Sequence, residues 1–401
     1  MNYKIIYNRI AILAFIAVYS CSTDSPKEQI ISEDPEKEIF LPILETNQVE
    51  TVDALNATIW GKVVANGGGS VVERGLCFGL NETPTLDDSS AKAITTFGSG
   101  EFKVNLSGLQ AGSVYYARAY AINEKGVGYG NQINFTTSPL ESPEFEISDT
   151  KIASAHDIWL DVTLTTRGDL DIDEIGVVYG TTSQPTVEDS NIARDQFENG
   201  FKQRITGLEQ QTLYYIRAYA ITSYEITYSD EITMSTIKEG NFTWSFWWED
   251  PSDPAFNRLR EAFDNATWYY NNFTSIEKHV NVNYSPGTPT ADANIDGWIN
   301  FGSNPDYQRT GTAMHEMAHT VGVGTHWKYW ELMQGSWQGN RANAILQFMT
   351  NDPNALIYGD NTHFWPYGIN GAHEDSGNDM DYIIHALIIQ GMKADGLPSY
   401  W

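Results

Sequence analysis

Two stretches of this chain repeat one another at an offset near one hundred residues, and a repeat of that length fixes the architecture of everything around it. "ERGLCFGLNETPT" (73–85) aligns with "EIGVVYGTTSQPT" (174–186), and "LSGLQAGSVYYARAYAINEKGVGYG" (106–130) with "ITGLEQQTLYYIRAYAITSYEITYS" (205–229). In each copy short runs of tyrosine, alanine and β-branched residues alternate between Gly, Pro and Asn turns. That pattern predicts two all-β sandwiches, over 48–138 and 142–238, each about a hundred residues long. Residues within them read as core or turn, so Tyr116 and Tyr215 are expected to pack rather than to bind.

The shared "L-x-x-x-x-x-YY-x-RAYA" resembles fibronectin type III-like modules, a family of spacers common in secreted bacterial proteins. The resemblance implies an immunoglobulin-like fold and says nothing of chemistry.

The N-terminal end bears on compartment. Lys4 and Arg9 precede the apolar run "IAILAFIAVYS", which is too short for a permanent membrane span and has the build of a secretory signal over 1–20. "AVYSC" resembles a bacterial lipoprotein cleavage box, which makes Cys21 the expected lipidation site and membrane anchor. Ser22 then points to a lipid-anchored outer-membrane protein of the cell envelope, possible exposure at the cell surface included. Residues 21–47 are polar and charged and read as a disordered tether. The only other cysteine is Cys77, so neither an intrachain disulfide nor a thiolate metal site is expected. With 24 basic against 52 acidic residues, the chain should avoid nucleic acid and anionic lipid surfaces. A monomer is expected.

After Lys238 the composition changes. Ten of the twelve Trp and seven of the eight His fall in 239–401, which marks a third domain and the place where chemistry should reside. Phe256, Leu259, Phe263, Ala266, Tyr270 and Phe273 recur at helical spacing behind an Asp253 N-cap and Pro254. Strands are expected at 278–285 and 294–302, and helices from Thr310 or Thr312 to Gly322, at 340–350, and at 379–393 capped by Asp379.

Within that domain stands "AMHEMAHTVGVGTHW" (313–327). His315 and His319, four apart on a helix, turn both imidazoles to one point, an arrangement zinc favours. Glu316 is offset to the side, where it can take a proton from water at the metal instead of ligating. Met314, Met317, Ala318 and Val321 supply an apolar back face.

"HEMAHTVGVGTH" resembles the metzincin clan of zinc peptidases, whose signature is HExxHxxGxxH, and matches it through Gly322. The resemblance implies an α+β zincin domain over 239–401, with bound Zn2+ and peptide-bond hydrolysis in which Glu316 serves as base and then acid. It also implies an edge strand that pairs with extended substrate, for which "NIDGWINFG" (294–302) is the counterpart, and Tyr367 as an oxyanion-stabilising hydroxyl. The clan's third histidine would fall at Thr325, whereas this chain has His326. The third ligand is therefore open between His326 and His363 of "GDNTHFWPYGINGAHED" (359–375), with His373 or Glu374 as further options. His279 and His385 read as core or surface residues.

The expected activity is a surface-anchored zinc metalloendopeptidase acting on protein or glycoprotein. The abundance of Trp keeps a second reading open, a glycan-binding or glycan-processing lipoprotein with a zinc site, because indole faces stack on sugar rings as readily as they fill cores. A non-catalytic adhesion protein with a structural zinc would leave Glu316 without a task.

Overall fold

The computed structural model describes residues 37–194 and 199–398. The stretch read as a secretory signal and Cys21 lie outside the described residues, as does the stretch read as a tether as far as residue 36. Among the described residues no helix is long and apolar enough to cross a membrane. The chain divides into two compact units, one ending at Ser138 and one beginning at Pro139.

The first unit has seven strands: β1 (Ile43–Val52), β2 (Asn56–Ala65), β3 (Glu73–Gly79), β4 (Ser89–Lys92), β5 (Gly100–Ser107), β6 (Val114–Asn123) and β7 (Gly126–Thr136). They form two antiparallel sheets, β1-β2-β5 and β4-β3-β6-β7. Ile59 and Val104 of one sheet share a core with Leu76, Ala117 and Ala119 of the other, which makes a sandwich. β1 begins inside the stretch read as tether. Leu44 and Thr46 are buried there, and the Thr46 hydroxyl accepts the Ala119 amide at 2.8 Å, tying the first strand to the opposite sheet.

The second unit opens with the repeat: β8 (Glu144–Ile147), β9 (Ile152–Ala153), β10 (Ile158–Thr166), β11 (Ile172–Gly180), β12 (Ser190–Arg194), β13 (Gly200–Ile205), β14 (Leu213–Thr222), β15 (Ile226–Tyr228) and β16 (Ile232–Ser235). β13-β10-β8 faces β12-β11-β14, with β9 on β10 and both β15 and β16 on β14. In both sandwiches the inner member of the tyrosine pair enters the core. Tyr115 and Tyr214 are buried, and their hydroxyls accept the amides of Gln110 and Glu209, each at 2.9 Å. That is the tyrosine-corner device of sandwich folds. Tyr116 and Tyr215 stand half-buried on the other face of their strands.

Beyond Lys238 come β17 (Asn241–Phe246), α1 (Pro254–Phe273), β18 (Glu277–Tyr284), β19 (Ala291–Ala293), β20 (Trp298–Phe301), α2 (Thr310–Thr320), α3 (Trp327–Leu332), α4 (Asn340–Thr350), β21 (Tyr358–Gly359), β22 (Phe364–Trp365) and α5 (Asp379–Ala394). The sheet order is β17-β18-β20-β19, with the first three strands parallel and β19 antiparallel at the edge. All six spaced residues of α1 are buried, and the Asp253 carboxylate accepts the Ala255 amide at 2.9 Å.

Two expectations change here. The edge strand is β19, not 294–302: Asn294–Gly297 form a turn with Gly297 at φ +91°, and only Trp298–Phe301 continue as the inner strand β20. The cap of α5 is Asn378, which accepts the Met380 amide at 3.0 Å, and Asp379 is the first helical residue.

α2 is buried on every face, from Gly311 to Thr320. An acid from farther along the chain fixes its start. One Asp375 oxygen accepts the Gly311 amide at 3.1 Å and the Arg309 guanidinium at 2.8 Å, while the Tyr382 hydroxyl donates to the other at 2.6 Å. Burial alone would raise the Asp375 carboxyl. The bonds from Tyr382, Gly377 and Arg309 outweigh it and hold the group below its ordinary value.

The second sandwich is not a free spacer. Trp159 of β10, 5 % exposed, joins the core of the helical region with Ile152. Its ring lies 6.1 Å from Phe273, and the Arg204 guanidinium covers it at 5.0 Å. The Lys202 ammonium bonds the Phe348 carbonyl and sits 4.1 Å over the Phe348 ring. Trp159→Ala should therefore cost about 3–5 kcal/mol, and should make the second sandwich and the helical region melt separately. Urea denaturation followed by circular dichroism checks this, and a single unshifted transition would mean the contact does not couple them.

Candidate metal centre

The centre starts from helical geometry. His315 and His319 lie one turn apart on α2, and their Nε2 atoms come to 3.2 Å of each other. Each Nδ1 faces a carbonyl oxygen at 2.7 Å, Gly368 for His315 and Val323 for His319. A carbonyl only accepts, so both Nδ1 atoms carry the proton and both Nε2 atoms present lone pairs. Two lone pairs at that distance repel unless a cation sits between them. A proton there is disfavoured: burial, and then the neighbouring His319, push His315 down to about 3, and burial lowers His319 as well. Two nitrogens on one tetrahedral ion at its usual bond length lie about 3.4 Å apart, close to the observed separation.

The third histidine is His363. Its ring centroid stands 5.2 Å from that of His315 and 5.4 Å from that of His319, and one ligand atom from each of the three lies within 4.8 Å of the others. The three can hold a metal ion. His363 occupies the turn of the β21–β22 hairpin, where the Asp360 carboxylate accepts its amide at 2.7 Å and the buried Tyr329 hydroxyl donates to its carbonyl at 2.8 Å. Gly324 lets this turn approach. It has φ +64°, and a Cβ there would lie 2.1 Å from the Thr362 carbonyl oxygen.

His326 is not brought to the pair. The chain leaves α2 through Gly322 at φ +108° and Gly324, and His326 then caps α3, its Nδ1 accepting the Lys328 amide at 3.1 Å. The hairpin turn occupies the place the insertion would have had to reach. His373 and Glu374 are exposed and 3.7 Å apart on the far wall of the cleft. His279 bonds Thr243 and Ser245 on the sheet, and His385 is fully buried against the Tyr270 hydroxyl and the Tyr367 carbonyl.

Glu316 is 2 % exposed, and its Oε2 has no hydrogen-bond partner among the described residues. Burial pushes its carboxyl up to about 8, and the Asp292 carboxylate on β19 adds to the rise. Beside the centre opens a cleft of ≈ 740 Å³ lined by His315, His363, Tyr307, Trp365, Tyr367 and Glu374, among others. Tyr367 stands half-buried with φ +65°. The positioning groups, the Gly368 and Val323 carbonyls and the Tyr329 hydroxyl, were not foreseen. Two of the three are backbone, and the sequence marks them only through the neighbouring glycines.

Between about 4.5 and about 8 the folded chain keeps a proton on Glu316 that the unfolded chain releases, so this group's contribution to stability falls as pH rises. The metal-free protein should lose melting temperature relative to Glu316→Gln over that window. Parallel melting curves would mean the carboxylate is solvated. Tyr329→Phe, which frees the His363 carbonyl, should weaken metal-ion binding about tenfold in chelator competition while the far-ultraviolet spectrum stays unchanged.

No family profile matches the sequence, and no curated protein does. Among solved structures, the chain is similar to the crystal structure of chicken CNTN1 FN1-FN3 domains, with 13 % identity, a TM-score of 0.22, and coverage of 50 % of this chain and 69 % of that one.

Proposed function

We propose that the protein is a zinc-dependent metallopeptidase of the HExxH type, with His315, His319 and His363 as ligands and Glu316 as general base and acid. The observation that carries this reading is the pairing of two Nε2 lone pairs 3.2 Å apart with a buried, unpartnered carboxylate one residue along the same helix. Three imidazoles suit zinc among the common divalent ions and leave a position open. When bound, the ion supplies a Lewis acid that polarises a carbonyl and acidifies water beside it. Glu316, whose carboxyl burial raises, would be brought by a neighbouring divalent charge into the range where a general base works best. Glu316 then takes a proton from the attacking water and returns it to the departing amine.

β19, at the edge of the sheet and close to Glu316 through Asp292, presents unpaired amides and carbonyls to an extended peptide. Tyr367, which lines the cleft, would supply the hydroxyl that meets an oxyanion. The likeness to metzincins reaches through Gly322. A third ligand from the β21–β22 hairpin makes this an HExxH peptidase with its own ligand spacing. Anchoring to the cell envelope through Cys21 belongs to the same proposal, with extracellular protein or glycoprotein as substrate. The glycan reading retains one supporting observation, the exposed indoles of Trp327, Trp330 and Trp365.

Elemental analysis should find one zinc per chain in the wild type and in His326→Ala, and loss of the zinc in His363→Ala. Glu316→Gln should keep the metal and lose peptide hydrolysis, by about three orders of magnitude or more. Full activity in Glu316→Gln would sink the mechanism. A wild type that takes up no zinc would bring the glycan reading forward.

A further inference from the structure

The cleft beside His315 and His363 carries acidic charge. Its charged lining consists of Asp360, Glu374 and Asp381, and no lysine or arginine lines it among the described residues. Each carboxylate uses one oxygen locally. Asp360 Oδ1 accepts the Thr362 and His363 amides, Glu374 Oε2 accepts the Asn370 amide, and Asp381 Oδ2 accepts the Ser376 hydroxyl. The remaining oxygen of each accepts no hydrogen bond among the described residues. In the same lining the Asn370 side-chain oxygen is buried without a partner. The His373 ring stands 3.7 Å from Glu374 and the His363 ring 3.9 Å from Asp360, and among the described residues no lysine or arginine in the lining neutralises the three acids.

The walls between the acids are aromatic. Tyr307, Phe364 and Trp365 line the cleft, and the Trp365 indole is 50 % exposed. Aromatic faces with carboxylates, and without lysine or arginine among the described residues, form an environment that attracts a flat, donor-rich cation through both cation–π and ionic contacts. A guanidinium offers five N–H donors in one plane and an ammonium three, while an acidic or sialylated group would meet like charge at Asp360, Glu374 and Asp381.

Resting on the peptidase reading, we propose that this cleft is a specificity pocket for a basic side chain, so that the protein cleaves peptides beside arginine, or lysine in second place. The pocket shares His315 and His363 with the metal centre, so a side chain held in it belongs to a residue next to the bond being broken.

The test uses the full chain loaded with zinc and quenched-fluorescent peptides that differ at one position, carrying Arg, Lys, Gln, norleucine or Glu, scanned on both sides of the scissile bond. Arginine should exceed glutamine in kcat/KM by roughly tenfold at one position, and the ratio should fall toward unity in Glu374→Gln and Asp381→Asn. Cleavage without preference, or with a preference for norleucine or Glu, overturns the inference and leaves the peptidase reading standing. If no peptide is cut, that reading fails, and calorimetric binding of the same peptides to the zinc-loaded chain decides the pocket. Tighter, salt-sensitive binding of the Arg peptide than of its Gln counterpart supports it, and equal binding overturns it.

Discussion

Two carbonyl oxygens, those of Gly368 and Val323, determine what the His315–His319 pair can bind. By accepting the Nδ1 protons of His315 and His319 they set the tautomer of both rings and leave two lone pairs facing each other in a dry interior. That arrangement is costly by itself, and the fold surrounds it with compensations. α2 is packed on every side, its Gly311 amide is held by Asp375, and the segment that supplies the Gly368 carbonyl is itself tied down where the Gly371 amide meets the Thr312 hydroxyl at 3.0 Å. The rigidity of the helix is what turns a repulsive contact into a binding site.

The repeated sandwiches were legible because alternation and turn residues act locally. The tyrosine pair, the RAYA strand and its neighbours needed no distant information to be read as paired sheets. α1 was legible for the same reason, its apolar spacing and its Asp253 cap being written within one segment. The start of β1 was hidden because Pro42 and a charged stretch precede it, and its burial depends on Thr46 bonding across the sandwich to Ala119. The inner strand was overextended because the alternation of Ile295, Gly297 and Ile299 continues through what the backbone makes a turn at Gly297.

The site divides along the same line. His315, Glu316 and His319 share a helix, and their spacing alone sets their directions. The choice between His326 and His363 is tertiary. It depends on a turn with two positive-φ glycines that carries the chain away from the metal-facing side, and on the approach that Gly324 permits to Thr362. Nothing in local propensity records that the hairpin turn and the helix end would meet. The docking of the second sandwich through Trp159 is of the same kind: a tryptophan in a strand reads as core from its sequence, but which core it enters is known only once Phe273 is beside it.

The ligand that completes the centre stands far along the chain from the pair, on a short hairpin whose histidine side chain is still 46 % exposed while its two companions are almost fully enclosed. A chain that has formed only α2 holds two imidazoles, too few for a tight site. The centre requires both α3 and the hairpin, joined through the Tyr329 hydroxyl, which ties metal loading to the tertiary structure rather than to α2 alone. A chain unfolded by damage thus carries an incomplete centre, and the full set of three imidazoles exists only in molecules whose α2, α3 and hairpin have assembled.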